Sequence, residues 1–280
     1  MTPTPPFSSE PLSPGTRVAA RVEYDGKFFS GWQAQPHLDV PTVQETLEAA
    51  LSSIATSPVS TTCAGRTDAG VHGFGQIIHF DDPVGRSPKA WIMGVNSQLP
   101  RSVRLHWAQA VSGDFHARFS ALNRRYRYLV ASSSVRPAAL DGLVTWYRKP
   151  VDAERMNEAA QALLGERDFS AFRAASCQSS TPWRCVESCD VARYGDFVLI
   201  DIQANAFLHH MVRNIAGSLL LVGSGIKSID WISELLEGGD RTLAADTAPG
   251  DGLYLVAVNY PDYHALPETP AGPALLTHLI

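Results

Sequence analysis

Residues 63–80 read "CAGRTDAGVHGFGQIIHF", with Asp68 two positions after Arg66 among four glycines and two histidines. A carboxylate, a guanidinium and imidazoles in one short loop can support several chemistries. A phosphate cradle of the Walker type needs Lys and then Ser or Thr after its glycines, with a helix beyond; here no lysine follows and the next residues alternate like a strand. The glycine fingerprint of dinucleotide binding fails on the same strand. A metal site could draw on His72, His79, Asp81, His116 and the pair His209 and His210. These show neither the i, i+4 spacing of a zinc-binding helix nor a carboxylate-rich loop, so no metal is expected. Two readings stay open: an aspartate capping its own turn, or a carboxylate displayed where Gly65, Gly70 and Gly73 let a bulky planar ligand approach. A nearby arginine would hold Asp68 anionic and oriented.

Two other residues could act with it. Arg213 lies in "LHHMVRNIAGSLLLV", where Met211, Val212, Ile215, Ala216 and Leu219 form an apolar stripe and His210, Arg213 and Gly217 share another face. Such an arginine wants a carboxylate or phosphate, in a structural pair or a catalytic one. Tyr126, in "NRRYRYLVAS", is either a core aromatic or a ring that stacks on a base and moves a proton through its hydroxyl.

The elements that must position these groups can be read in order. Residues 17–33 give a strand and a turn at Asp25-Gly26. Thr42 and Glu45 make a capping box for a helix with Val43, Leu47, Ala50, Leu51 and Ile54 on one face. The Asp68 loop and its strand follow, then a short helix over 87–100 and an alternating strand over 103–111. The second half repeats the theme. Strand 123–132 points Tyr126, Tyr128 and Val130 one way and Arg125, Arg127 and Leu129 the other. A helix capped by Asp152 and stopped at Gly165, a strand over 196–207, helices over about 208–222 and 231–236, and a strand over 252–260 complete it.

The chain has 280 residues, 45% of them hydrophobic, enough for a core without disulfides, and its four cysteines form no C-x-x-C pair. The first fifteen residues hold five prolines and read as a disordered tail with no signal-peptide pattern. No apolar run approaches the roughly 20 residues of a membrane span, so a cytoplasmic protein is expected. The formal net charge of −5 argues against a nucleic-acid partner, yet residues 115–140 carry five arginines, His116 and no acidic residue. One basic groove meeting phosphate would explain this; so would arginines paired with carboxylates elsewhere in the fold.

The blocks "EYDGKFFSGWQAQ", "VQETLEAAL", "CAGRTDAGVHGFGQIIHF", "DFHARFSA" with "RRYRYLV", "FSAF", "ANAFLHHMVRNIAGSLLLVG" and "GLYLVAV" occur in order from about Glu23 to Tyr260. Together they closely resemble the tRNA pseudouridine synthase A family. The resemblance implies an α+β pseudouridine synthase fold: two related α+β subdomains, at 16–113 and 114–262, sharing a largely antiparallel sheet with helices packed on it, between tails at 1–15 and 263–280. It implies isomerisation of uridine to pseudouridine at positions 38, 39 and 40 of the tRNA anticodon arm by a homodimer. Asp68 matches the family's nucleophile, Arg66 the arginine that assists base flipping, Tyr126 the tyrosine that packs on the target base, and Arg213 the arginine that pairs with the nucleophile. Arg118, Arg125 and His72 are expected to touch the RNA as well. The reaction is redox neutral, so no cofactor is expected. Asp68 could add to uracil C6, attack C1′ or abstract a ribose proton. The rival from another class is a non-catalytic RNA-binding module of the same fold.

Overall fold

Thr42 sets the first helix: its hydroxyl accepts the Glu45 N–H at 3.3 Å and bonds back to the Glu45 carboxylate. The helix, α1 (Val43–Ala55), buries Val43, Leu47, Ala50 and Leu51 and ends on left-handed Thr56. The computed structural model describes residues 5–35, 39–268 and Gly272. Within these the chain divides into two compact units: residues up to Leu122 together with those from Leu255 on, and Asn123–Tyr254.

The first unit holds β1 (Thr16–Tyr24), α1, β2 (Thr62–Cys63), β3 (His72–Asp82), α2 (Pro88–Gln98) and β4 (Val103–Ala110). Its strands run β4-β1-β3, with β2 on β3, all antiparallel. Val18, Ala20 and Val22 of β1 and Ile78 and Phe80 of β3 pack with Leu47, Leu51, Trp91 and Val95 in one apolar cluster. Burying such side chains is worth about 1.5–3 kcal/mol each. Asp82 is fully buried because all its bonds are met: Oδ2 accepts from Trp91 Nε1, and Oδ1 from the Val84 and Gly85 amides.

The segment expected to be a disordered tail behaves otherwise from Pro5 on. Lys89 donates its N–H to the Ser8 carbonyl and Leu12 to that of Arg86. Leu12 packs on the core. Prolines make such a stretch stiff but do not stop it docking on a ready surface. Beyond residue 262, His264 is buried and Gln109 donates to the Ala265 carbonyl at 2.9 Å. The rest of that segment, Gly272 apart, lies outside the described residues from 269 on.

The second unit holds β5 (Asn123–Ser132), β6 (Thr145–Tyr147), α3 (Ala153–Ala160), β7 (Gly165–Asp168), β8 (Trp183–Tyr194), β9 (Phe197–Ala204), α4 (Met211–Gly223) and α5 (Trp231–Gly238). Its sheet order is β5-β9-β8-β7, antiparallel, with β6 added parallel to β5. The last strand, β10 (Leu253–Asn259), begins in this unit and continues in the first, beside β3. The class is thus α+β with a mostly antiparallel sheet. Asp152 caps α3 by accepting from Glu154 and Arg155, but the α-helix stops at Ala160 and a 3-10 turn carries the chain to Leu163. β8 does not appear in the sequence pattern, because its register slips between Val186 and Ser188 and breaks the two-residue alternation.

His79 on β3 is 7% exposed, and its Nδ1 accepts the Ala117 N–H at 3.1 Å, which anchors the loop after β4. Burial, then the Arg17 and His116 cations, pushes its pKa down from 6.5 to about 4. The unfolded chain therefore binds the extra proton between these values. Stability is full above about pH 6.5 and falls as pH drops toward 4. In urea titrations over that range, His79→Asn, whose carbonyl can still accept from Ala117, should lose less stability than wild type.

Candidate active site

The Asp68 loop is built by three restraints from its own unit. At its start, buried Gln76 brackets Gly65: Nε2 donates to the Gly65 carbonyl at 2.6 Å and Oε1 accepts the Gly65 N–H. At its middle, Thr67 is buried, with its hydroxyl 2.8 Å from the Tyr24 hydroxyl and its carbonyl accepting the Trp32 N–H at 3.0 Å. At its end the Val71 N–H returns to the Asp68 carbonyl, closing a turn through Gly70 at φ +78. Thr67 faces inward, so its neighbours face outward: Arg66 is exposed and Asp68 half-buried.

The backing for this loop is the turn after β1, which comes against it backbone to backbone. A Cβ on Gly26 would sit 2.1 Å from the Val71 carbonyl oxygen, and one on Gly31, at φ +95, 2.8 Å from that of Thr67. Only glycine fits at either place. Gly73 corrects the expectation that the loop's glycines clear space for a ligand: the room a side chain would take is filled by the Tyr24 ring, 2.3 Å from a Cβ built there.

His72 is buried and holds the same turn. Its Nδ1 accepts the Gly26 N–H at 3.1 Å. Asp25 Oδ1 lies 3.3 Å from the same nitrogen. Arg118, exposed on the loop after β4, has its guanidinium 5.5 Å from the centre of the Phe119 ring. Burial pushes the Cys63 thiol up to about 12, and the cations that oppose this are Arg66 and Arg118. Both guanidinium groups thus lie within electrostatic reach of the residue that opens the Asp68 loop.

In the second unit, Tyr126 is 8% exposed and meets Phe207 edge to face, ring centres 5.1 Å apart. The alternation along β5 places Arg125 and Arg127 together, and one carboxylate serves both. Arg125 donates two bonds to Asp201 at 2.6 and 2.7 Å, and buried Arg127 a third at 2.8 Å. Arg136 pairs with Asp141, and Arg124 donates to the Asn205 carbonyl. Much of the basic segment is therefore matched within the unit, as one of the two readings anticipated.

Helix α4 starts later than its hydrophobic pattern suggests. His210, expected on the face of Arg213 and Gly217, stands before the helix with left-handed φ +63, an uncommon backbone for a residue other than glycine. Arg213 and Gly217 face the segment 245–248. Arg213 Nε donates to the Ala248 carbonyl at 2.7 Å, and a Cβ on Gly217 would strike the Asp246 carbonyl at 2.4 Å. Fully buried Asn214 pins that segment: its Oδ1 accepts from Thr247 at 2.7 Å and Arg241 at 3.0 Å, and its Nδ2 donates to Phe172. Composition and spacing single out neither Asn214, Arg241, Thr247 and Gln76 nor the Tyr24–Thr67 pair. Nothing in the neighbouring sequence says which distant group each of them meets.

The family described as tRNA pseudouridine synthase matches residues 20–120 and 159–261. The chain is also 55% identical to the tRNA pseudouridine synthase A of Salmonella arizonae, over 96% of this chain and 99% of that one. It belongs to the tRNA pseudouridine synthase family. The corresponding protein of Escherichia coli O1:K1 is 54% identical over the same shares. Pseudouridine synthases are isomerases, and the match spans both the Asp68 loop and α4. No helix among the described residues is long and apolar enough to cross a membrane.

Gly26→Ala should shift the Val71 backbone, destabilise the fold by about 1–3 kcal/mol in urea titration, and lower turnover more than RNA affinity. Asn214→Ala leaves buried donors without an acceptor and should cost about 1–3 kcal/mol by the same measurement; a midpoint equal to wild type would show that the network is not needed.

Proposed function

We propose that this chain converts uridine to pseudouridine at positions 38, 39 and 40 of the tRNA anticodon arm, with Asp68 as the nucleophile. The observation that carries the reading is a half-buried carboxylate next to an exposed arginine, on a loop pinned at Gly65, at Thr67 and at its closing turn. Family membership supplies the reaction class.

The N1–C1′ bond breaks, the uracil turns, C5 bonds to C1′, C5 loses its proton and N1 gains one. Nothing is oxidised or reduced. A carboxylate gives transient covalent help and one further group carries the proton. The nucleoside must leave its stack to reach a carboxylate held by its own backbone, and flipping costs a few kcal/mol. Arg66, exposed beside Asp68, has the reach to hold the vacated space. Tyr126 and Arg213 take the roles the family resemblance assigns, proton carrier and partner cation. The working form is a cytoplasmic homodimer whose paired basic segments offset the acidic chain. Arg125 contributes to RNA affinity through the charge that its bond to Asp201 leaves unneutralised, and His72 acts through the turn it holds.

Mapping pseudouridine in anticodon-arm RNA should show product with wild-type protein and none with Asp68→Asn, while RNA affinity stays within a few-fold. Product formed equally by both would favour another nucleophile; no product from either would favour a non-catalytic RNA-binding module. Tyr126→Phe should lower kcat and leave Kd for RNA nearly unchanged.

A further inference from the structure

The loop after β4 contains Phe119, which is 76% exposed. Single exposed apolar residues are common and need no role. This one differs in how it is held. Phe115 and Ala117 are fully buried, and the Ala117 backbone is fixed on both sides, its N–H to His79 and its carbonyl to the Tyr260 hydroxyl at 2.6 Å. The His116 Nδ1 accepts the N–H groups of both Arg118 and Phe119 at 3.2 Å, and the Ser120 N–H returns to the His116 carbonyl. The turn is thus tied at nearly every residue while its largest apolar side chain faces water.

One face of that ring is already backed. The His116 ring lies 4.3 Å from it at an interplanar angle of 28°, and the Arg118 guanidinium is 5.5 Å from its centre. Burial, then Arg17, with a smaller part from Arg118, keeps the His116 imidazole below its ordinary value. An exposed aromatic ring with a guanidinium 5.5 Å over its centre, in a stretch with no acidic residue from Phe115 to Leu140, is complementary to a nucleobase with its phosphate.

We propose that Phe119, backed by His116 and flanked by Arg118, is a stacking platform for one unpaired base of the RNA substrate. His79, which takes the Ala117 N–H, pairs with Thr62 across β2 and β3, so the turn is anchored beside the strand that leads into the Asp68 loop. The platform rests on the reading that the substrate is tRNA, and its contribution is to hold the single-stranded loop while a neighbouring uridine is turned out. Only an unpaired base offers a free π-face to a protein ring.

The test uses the full chain, an unmodified anticodon stem-loop transcript and the same stem closed as a duplex without its loop. Phe119→Ala should raise Kd and KM for the stem-loop roughly five- to a hundredfold, the range for losing one base–aromatic stack, with kcat near wild type and duplex affinity unchanged. Phe119→Trp and Phe119→Tyr should restore affinity; Phe119→Leu, which keeps apolar bulk without a π-face, should resemble Phe119→Ala. Thermal midpoints near wild type are expected, since the ring buries little. Wild-type affinity in Phe119→Ala or in Phe119→Leu would overturn the platform, and so would a change of oligomeric state in size exclusion, which would assign the ring to a protein interface. If wild-type protein makes no pseudouridine, the isomerase reading fails, while the affinity series still decides whether Phe119 stacks on RNA.

Discussion

Two backbones approach each other behind Asp68 with no side chain between them, and the rest of the site depends on that approach. Gly26 and Gly31 let the turn after β1 lie against Val71 and Thr67. The Thr67 carbonyl can then take the Trp32 N–H, and its hydroxyl can meet Tyr24. A carboxylate on a free loop would sample many positions. Here the residue before it is buried and bonded on both sides, so the direction of Asp68 is set by the backbone. Catalysis that relies on positioned groups needs such restraint, because small misplacements cost large factors in rate.

The same economy governs charge. A stretch with five arginines in an acidic protein looks like an RNA footprint, and in part it is internal structure. Asp201 binds Arg125 and Arg127 together, and Arg127 is 2% exposed. Removing Asp201 would leave the buried Arg127 charge uncompensated, at a cost of about 3–5 kcal/mol. Arg66 and Arg118 differ in being exposed, Arg66 on the Asp68 loop itself. Local cations of this kind, rather than net charge, are what a phosphate backbone meets.

Legibility in the sequence followed how local each determinant was. The α1 cap at Thr42, the α3 cap at Asp152, the turn at Asp25-Gly26 and strand 123–132 depend on residues a few positions apart, and all are present. β8 was hidden because a bulge breaks its alternation. α4 starts at Met211, after left-handed His210, because backbone handedness at one residue leaves no trace in hydrophobic periodicity. Gly73 suggests clearance for a ligand in sequence but serves the Tyr24 ring, because the group beside a glycine is set by a strand about fifty residues away.

The sequence by itself determined the family, the α+β order of elements and the identity of the charged and aromatic groups that could act, since these rest on residue type and short-range spacing. Tertiary structure alone decided which of those groups are tied up and which are presented: Arg125 on Asp201, His72 on Gly26, Arg213 against Ala248, Phe119 stacked on His116 and open to solvent. The physical reason is that a side chain's type sets what it can bind, whereas its availability is set by partners that the fold brings from distant parts of the chain.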